Sequence, residues 1–207
     1  MAPTIFMILT SFRRSSSRGA WLTNRMGESV SICVIVGSLR TGSVSRATAR
    51  AAAALAPVDV QLKIHSVADV PLYNGDVEER GVPVSVTELH EAVAAADGVL
   101  FFTPEYNGSL PAVVKNVIDW LSRPPASLEG KPFAAVATTP GERAGAGALA
   151  HFEQIFDHMG AHYPRFESFG IGGYGDKLDE AGELADPATR EELAAWLQRF
   201  VEFTLKP

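Results

Sequence analysis

Hydrophobic residues recur along this chain with two periods, one of about two residues and one of about 3.6. Ser31 to Val36 is a β-branched run with both alternating faces apolar, the pattern of a central parallel strand covered on both sides. Val58 to Ile64 alternates, which predicts a second strand nearer an edge. Gly98 to Thr103 and Phe133 to Thr139 predict a third and a fourth strand, and residues 162–171 have room for a fifth. Between these runs the period lengthens. An Ala-rich helix runs to about Leu55 and is closed by Pro57. Ser85 and Glu88 form a capping box that opens a helix through Ala96. Val113, Val114, Val117, Ile118 and Leu121 give helical spacing over 111–122, and another helix ends near Met159, where Gly160 stops it. Asp186-Pro187 supplies an N-cap and a first helical proline, ahead of a stripe of Leu193, Trp196, Leu197, Phe200 and Val201. Residues 65–82 read as loop, because Pro71, Asn74-Gly75 and Gly81 interrupt any period.

Strand and helix therefore alternate five times, without an internal repeat. Such alternation implies a parallel sheet with helices on both faces, joined by right-handed crossovers. A length of 207 residues suits one domain, and 46% hydrophobic content predicts a full core.

Charge divides the chain. Residues 1–27 hold Arg13, Arg14, Arg18 and Arg25 and no acid, while the remaining 14 basic and 24 acidic residues leave a net of −10. An acidic body excludes the basic face that nucleic-acid binding requires. No run reaches the ~18 apolar residues of a membrane span. The Ser- and Arg-rich 1–27 segment reads as an N-terminal extension to a domain at 28–207. It fits either a transit-type leader or a start of translation at Met26, and the Ala-, Gly- and Arg-rich body favours the second. The single cysteine, Cys33, lies in an apolar run, which points to core filling and to a reducing, cytoplasmic setting.

Two loops carry the candidate chemistry. Gly37-Ser38-Leu39-Arg40-Thr41-Gly42-Ser43-Val44-Ser45 directly follows the first strand. Its glycines allow close backbone approach, its hydroxyls and Arg40 offer donors, and the helix starting near Ser43 adds free N–H groups. Together these make a cradle for one phosphate monoester. The run lacks the Gly-Lys-Ser/Thr ending of a Walker loop and the Gly-x-Gly-x-x-Gly of a dinucleotide site. The second loop, Thr103-Pro104-Glu105-Tyr106-Asn107-Gly108-Ser109-Leu110-Pro111, forces a turn between a strand and a helix. In an open α/β sheet ligands sit beyond such strand ends. His158 and His162 lack a third ligand, so no metal site is predicted. No Gly-x-Ser-x-Gly elbow offers a nucleophile.

Both loops resemble those of the NADPH-dependent FMN reductase family, flavodoxin-like reductases of quinones, azo compounds and chromate. The resemblance rests on Gly-Ser-x-Arg-x-x-Ser-x-Ser at 37–45, on Pro-Glu-Tyr-Asn-Gly-Ser-x-Pro at 104–111, and on Lys115-Asn-x-Ile-Asp-Trp120. It implies a flavodoxin-like three-layer sandwich, with a five-stranded parallel sheet of order 2-1-3-4-5. It implies FMN and NADPH (or NADH) as cofactors, a small-molecule electron acceptor, and a homodimer or homotetramer. The phosphate would lie against Ser38, Arg40, Ser43, Val44 and Ser45, and the ring against Pro104, Glu105, Tyr106, Asn107, Thr139, Pro140 and Gly141. Tyr73-Asn74-Gly75-Asp76 is similar to the family's loop at the site entrance. Hydride would pass from nicotinamide to flavin N5 and on to a quinone, flavin or similar acceptor, with no catalytic side chain. The chain departs from the family after Gly141. Ala144-Gly145-Ala146-Gly147-Ala148-Leu149 lacks the Arg and Gln of the family's Gly-Gly-x-Arg-x-Gln segment, which motivates an alternative, a flavin-binding electron carrier or redox sensor without NAD(P)H activity.

Overall fold

The computed structural model describes residues 29–206. The extension expected at 1–27 lies outside the described residues. Five strands, β1 (Val30–Val36), β2 (Val60–His65), β3 (Gly98–Pro104), β4 (Phe133–Thr138) and β5 (Phe169–Ile171), form one parallel sheet of order β2-β1-β3-β4-β5. Six α-helices connect them: α1 (Val44–Leu55), α2 (Gly75–Arg80), α3 (Val84–Ala95), α4 (Ala112–Leu121), α5 (Ala146–Met159) and α6 (Pro187–Thr204). This is the doubly wound three-layer sandwich expected from the alternating pattern.

The period-two pattern of the central strands sorts their side chains into two cores. Ile32, Val34 and Val36 of β1 and Leu100 and Phe102 of β3 meet Ala49 and Ala52 of α1 and Trp196, Leu197 and Phe200 of α6. On the opposite face Cys33, Ile35, Val99 and Phe101 meet Leu89 and Val93 of α3, Val117 and Ile118 of α4 and Phe152 and Phe156 of α5. Phe101, Phe133, Phe152 and Phe156 pack their rings largely edge to face, with centroids 4.2–6.5 Å apart. Every second residue thus serves one core, so a single-residue slip would send each set into the other core and mispack both. Cys33 fills core space, and burial pushes its thiol up to about 12, which leaves it unreactive at neutral pH. β2 is the half-exposed edge strand the sequence predicted.

Four expectations change. Ser85 and Glu88 do not form a capping box: α3 starts earlier, after Pro83, and has no side-chain cap. Ser85 is helical, and its hydroxyl donates to the Asp69 carbonyl at 2.9 Å instead. The 65–82 loop contains α2, whose N-cap is Asn74, its side chain accepting from Asp76 N–H at 2.9 Å. Val58 is fully exposed, and β2 begins only at Val60, after a turn closed by Val60 N–H donating to Pro57 O. The last strand narrows to three residues, although Arg165 and Phe166 already touch β4 through Phe133.

His90 is a buried histidine of α3, with Nδ1 2.9 Å from Ser127 Oγ. Burial lowers its pKa below the ordinary 6.5. The folded state therefore resists the proton that the unfolded chain accepts. The His90 contribution is full above about pH 6.5 and is lost as pH falls below it, by at most about 1.4 kcal/mol per pH unit. Denaturant unfolding at pH 7 and pH 5 is expected to show a smaller pH loss in His90→Asn than in the parent.

Candidate functional site

The sheet register lines up the carboxyl ends of three adjacent strands. Val36 lies opposite Phe102. Thr103 and Pro104 lie opposite Ala137 and Thr138. The loops 37–43, 105–111 and 139–145 therefore leave one edge of the sheet side by side. The chain runs outward from β1 to β2, then crosses back to β3, so the first two loops flank the topological switch point.

Gly37 closes the β1–β3 ladder: its N–H donates to Phe102 O at 2.7 Å. A Cβ at Gly37 would stand 2.2 Å from Val114 Cγ2, so only glycine lets the chain pass this close to α4. Beyond it the backbone N–H groups of Ser38, Leu39, Arg40, Thr41 and Gly42 have no hydrogen-bond partner among the described residues, nor have those of Val44 and Ser45 in the first turn of α1. Ser38 is a buried residue and Arg40 an exposed one, and among the described residues neither side chain makes a hydrogen bond or ion pair. Such a run of free donors fits a phosphate, which accepts from several N–H groups at once. Two hydroxyls expected to face that anion are engaged elsewhere. Ser43 Oγ caps α1 by accepting from Arg46 N–H at 3.2 Å, and Ser45 Oγ pairs with Thr138 Oγ1 at 2.7 Å, fastening the loop's helix to β4. Their backbone N–H groups remain available.

Residues 105–109 form a hairpin tip. Tyr106 and Ser109 exchange two backbone bonds of 3.0 Å around Asn107 (φ 52°) and Gly108 (φ 73°), the Asn-Gly primed turn. Tyr106 and the Asn107 side chain are exposed. Glu105 Oε2 accepts from Gly147 N–H at 2.8 Å and Ala148 N–H at 3.1 Å. In the third loop Thr139 is buried, and its Oγ1 accepts weakly from Gly141 N–H at 3.4 Å.

The helix after the tip holds the 71–73 segment against its own flank. Asn116 Oδ1 accepts from Tyr73 N–H at 2.7 Å, while Asn116 Nδ2 and Trp120 Nε1 both donate to Pro71 O at 2.8 Å. Tyr73 stacks edge-on to Trp120, and its hydroxyl donates to Glu78 of α2. Trp120 is fully buried, and Lys115 and Asp119 pair on the surface. The Asn116 brace escaped the sequence reading, since its partners lie 43 and 45 residues away. So did the support of the third loop: Gly173 N–H donates to Gly141 O, and a Cβ at Gly170 would stand 2.3 Å from Ala144 O. The glycines at 170, 172 and 173 were the available signal.

The class defined by this fold and edge is a flavodoxin-like α/β domain with a loop of free N–H groups and a hairpin at its switch point. Residues 30–176 match the sequence model of the NADPH-dependent FMN reductase family, and the chain belongs to that family. It is similar to the quinone reductase of Escherichia coli K12, 38% identical over 182 residues that span 86% of this chain and 97% of that protein. It is 36% identical to the NAD(P)H-dependent FMN reductase of Pseudomonas aeruginosa, over 84% of this chain and 94% of that protein. Among solved structures, the flavoenzyme NAD(P)H:acceptor oxidoreductase FerB of Paracoccus denitrificans superposes with a TM-score of 0.75 at 31% identity, over 84% of this chain and 97% of that one. The chain is thus an oxidoreductase working with FMN and a reduced nicotinamide nucleotide. No helix among the described residues is long and apolar enough to cross a membrane, and no described cluster of His, Cys, Asp or Glu could hold a metal ion.

Gly37 and Gly42 sit in the same loop but face different surroundings, since a Cβ at Gly42 meets nothing within 4 Å. Gly37→Ala is expected to lower unfolding free energy by about 1–3 kcal/mol, the usual range for overpacking. Gly42→Ala stays within ~0.5 kcal/mol. Paired denaturant titrations measure both.

Proposed function

We propose that the chain holds FMN across the switch point and passes electrons from NADPH or NADH to a quinone. The phosphate lies on Ser38, Arg40, Ser43, Val44 and Ser45, through backbone N–H groups and the Arg40 fork. The ring lies against Pro104, Tyr106 and Asn107 on one side and Thr139, Pro140 and Gly141 on the other, with Glu105 ordering the first of these loops. The observation that carries the reading is the set of N–H groups of Ser38 to Gly42, Val44 and Ser45 that have no partner among the described residues, beside the hairpin of the neighbouring strand.

FMN, when bound, supplies the redox chemistry, accepting hydride from the nicotinamide and releasing electrons to the acceptor. The chain's residues bind and orient. The phosphate loop fixes one end of the cofactor, and Asn107 and the loop N–H groups supply hydrogen bonds to polar ring atoms. The exposed Tyr106 ring makes an apolar wall that keeps water from one edge. No side chain need donate or remove a proton. The E. coli relative named quinone reductase supports the acceptor class. Family membership supports the reductase over the carrier.

The domain is proposed to span 28–207 and to work in the cytoplasm, as its single buried cysteine suits a reducing compartment. It is proposed to act as a homodimer. A groove of about 370 Å³ between α4 and α5, floored by Ile118, Ile155 and Met159 and rimmed by Lys115, Asp119 and Arg123, suits a second copy. Light scattering on the purified protein is expected to give the mass of two chains.

Purified protein is expected to carry or take up FMN, to be bleached anaerobically by NADPH or NADH, and to oxidise that nucleotide with benzoquinone. A protein that takes up no FMN ends the proposal, and one that is bleached but ignores quinones ends the acceptor assignment. Arg40→Ala is expected to weaken FMN binding roughly 10- to 100-fold, the value of one charge-assisted contact, and to leave riboflavin binding unchanged because riboflavin has no phosphate. Fluorescence quenching measures both.

A further inference from the structure

The 105–109 tip and the start of α5 are joined at three points. Glu105 Oε2 accepts from Gly147 and Ala148 N–H. Gly108 O packs so close to Gly147 that a Cβ there would stand 2.4 Å from it. Ser109 Oγ lies 2.7 Å from His151 Nδ1. A two-residue hairpin gains little rigidity from its own two bonds. Its position is therefore set by what it rests on, and that is the first two turns of α5.

The dependence also runs the other way. α5 begins after Gly145, which is left-handed (φ 75°) and offers no side-chain cap. Ala146 N–H is met by Arg143 O and Leu149 N–H by Gly145 O. The two remaining donors of the first turn are those that Glu105 accepts. Glu105 is thus the missing cap of α5, supplied from another loop. An acid at a helix N-terminus also meets the positive end of the helix dipole. Because α5 continues directly from the Thr139–Gly141 loop, one carboxylate fixes both loops assigned to the ring.

We propose that Glu105 is a positioning residue: it sets the spacing of the two ring loops by capping α5, without itself touching the flavin. The proposal rests on the ring-loop assignment above. Reach and acceptor capacity then govern its effect more than charge does. Glu105→Gln keeps the length and an accepting oxygen. Glu105→Asp keeps the charge but falls one methylene short. Gly147→Ala leaves Glu105 intact and drives the Gly108 carbonyl away from the helix.

The test measures FMN dissociation constants of folded apo-protein by fluorescence quenching, with hydrogen exchange at the Gly147 and Ala148 amides. Glu105→Ala and Glu105→Asp are expected to bind FMN about tenfold more weakly or worse, and Glu105→Gln within about threefold of the parent. Amide protection at 147 and 148 should fall in the same order. Gly147→Ala should weaken FMN binding by a similar factor with Glu105 present. If Glu105→Ala and Glu105→Asp melt earlier but bind FMN as the parent does, the residue only caps a helix and the proposal is wrong. If Asp matches Glu while Gln matches Ala, the carboxylate acts through its charge, and the proposal is equally wrong. Should the Glu105 variants fail to fold, unchanged FMN affinity in Gly147→Ala overturns it. Arg40→Ala separates the two layers: loss of FMN binding there, with none in the Glu105 and Gly147 variants, leaves the site assignment standing and removes only this inference.

Discussion

The β1–β3 ladder, closed at its carboxyl end by Gly37 N–H on Phe102 O at 2.7 Å, is the contact on which the site depends. Both strands are buried on both faces, so their register is fixed by two cores at once. That register decides where each strand runs out. β1 ends at Val36 opposite Phe102, two residues before β3 ends at Pro104. One loop therefore turns away low against α4 while its neighbour rises past it. The absence of a side chain at Gly37 is what allows the low path.

Past the last ladder bond, the two loops answer the problem of unpaired backbone in opposite ways. The hairpin tip pairs its own groups, Tyr106 with Ser109, and hands its remaining acceptors to α5. The Ser38–Ser45 loop pairs almost nothing and leaves its donors to solvent or ligand. A loop with so many free N–H groups and few apolar contacts is ordered mainly from its ends: by the ladder at Gly37, by the Ser43 cap on Arg46, and by the Ser45–Thr138 pair. No internal bond of this loop would have to break for an anion to settle on its free donors.

Much of this was legible in the sequence. The central strands announce themselves because burial on both faces leaves no polar position in Ile32–Val36 or Val99–Phe102. The Asp186 cap and the α6 stripe are equally plain, as is the Asn-Gly turn at the tip. What escaped reading was set by distance along the chain. Ser85 looked like a cap by local spacing, but its hydroxyl was taken by Asp69, 16 residues earlier. Asn116 is a polar residue on a mostly apolar helix, and its purpose appears only when the 71–73 segment folds back onto it. Glu105 could be expected to order its loop, yet its partners lie 42 and 43 residues ahead. Local periods encode elements well, whereas single polar links between loops carry no period at all.

The Ala- and Gly-rich run after Gly141 has a physical consequence at that same link. Ala144 sits at φ 52° and Gly145 at φ 75°, a left-handed pair that costs an L-residue such as Ala144 about 1–2 kcal/mol. It ends in a helix without a cap of its own. At Gly147 the missing side chain lets the Gly108 carbonyl settle onto the helix. The strained turn, the bare first turn of α5 and the close approach at Gly147 are separate irregularities by themselves. With the Glu105 carboxylate in place they become one joint, in which the helix gains its cap and the hairpin its support. A side chain at 147 would hold the two apart, so the bare glycine and the joint are the same structural fact.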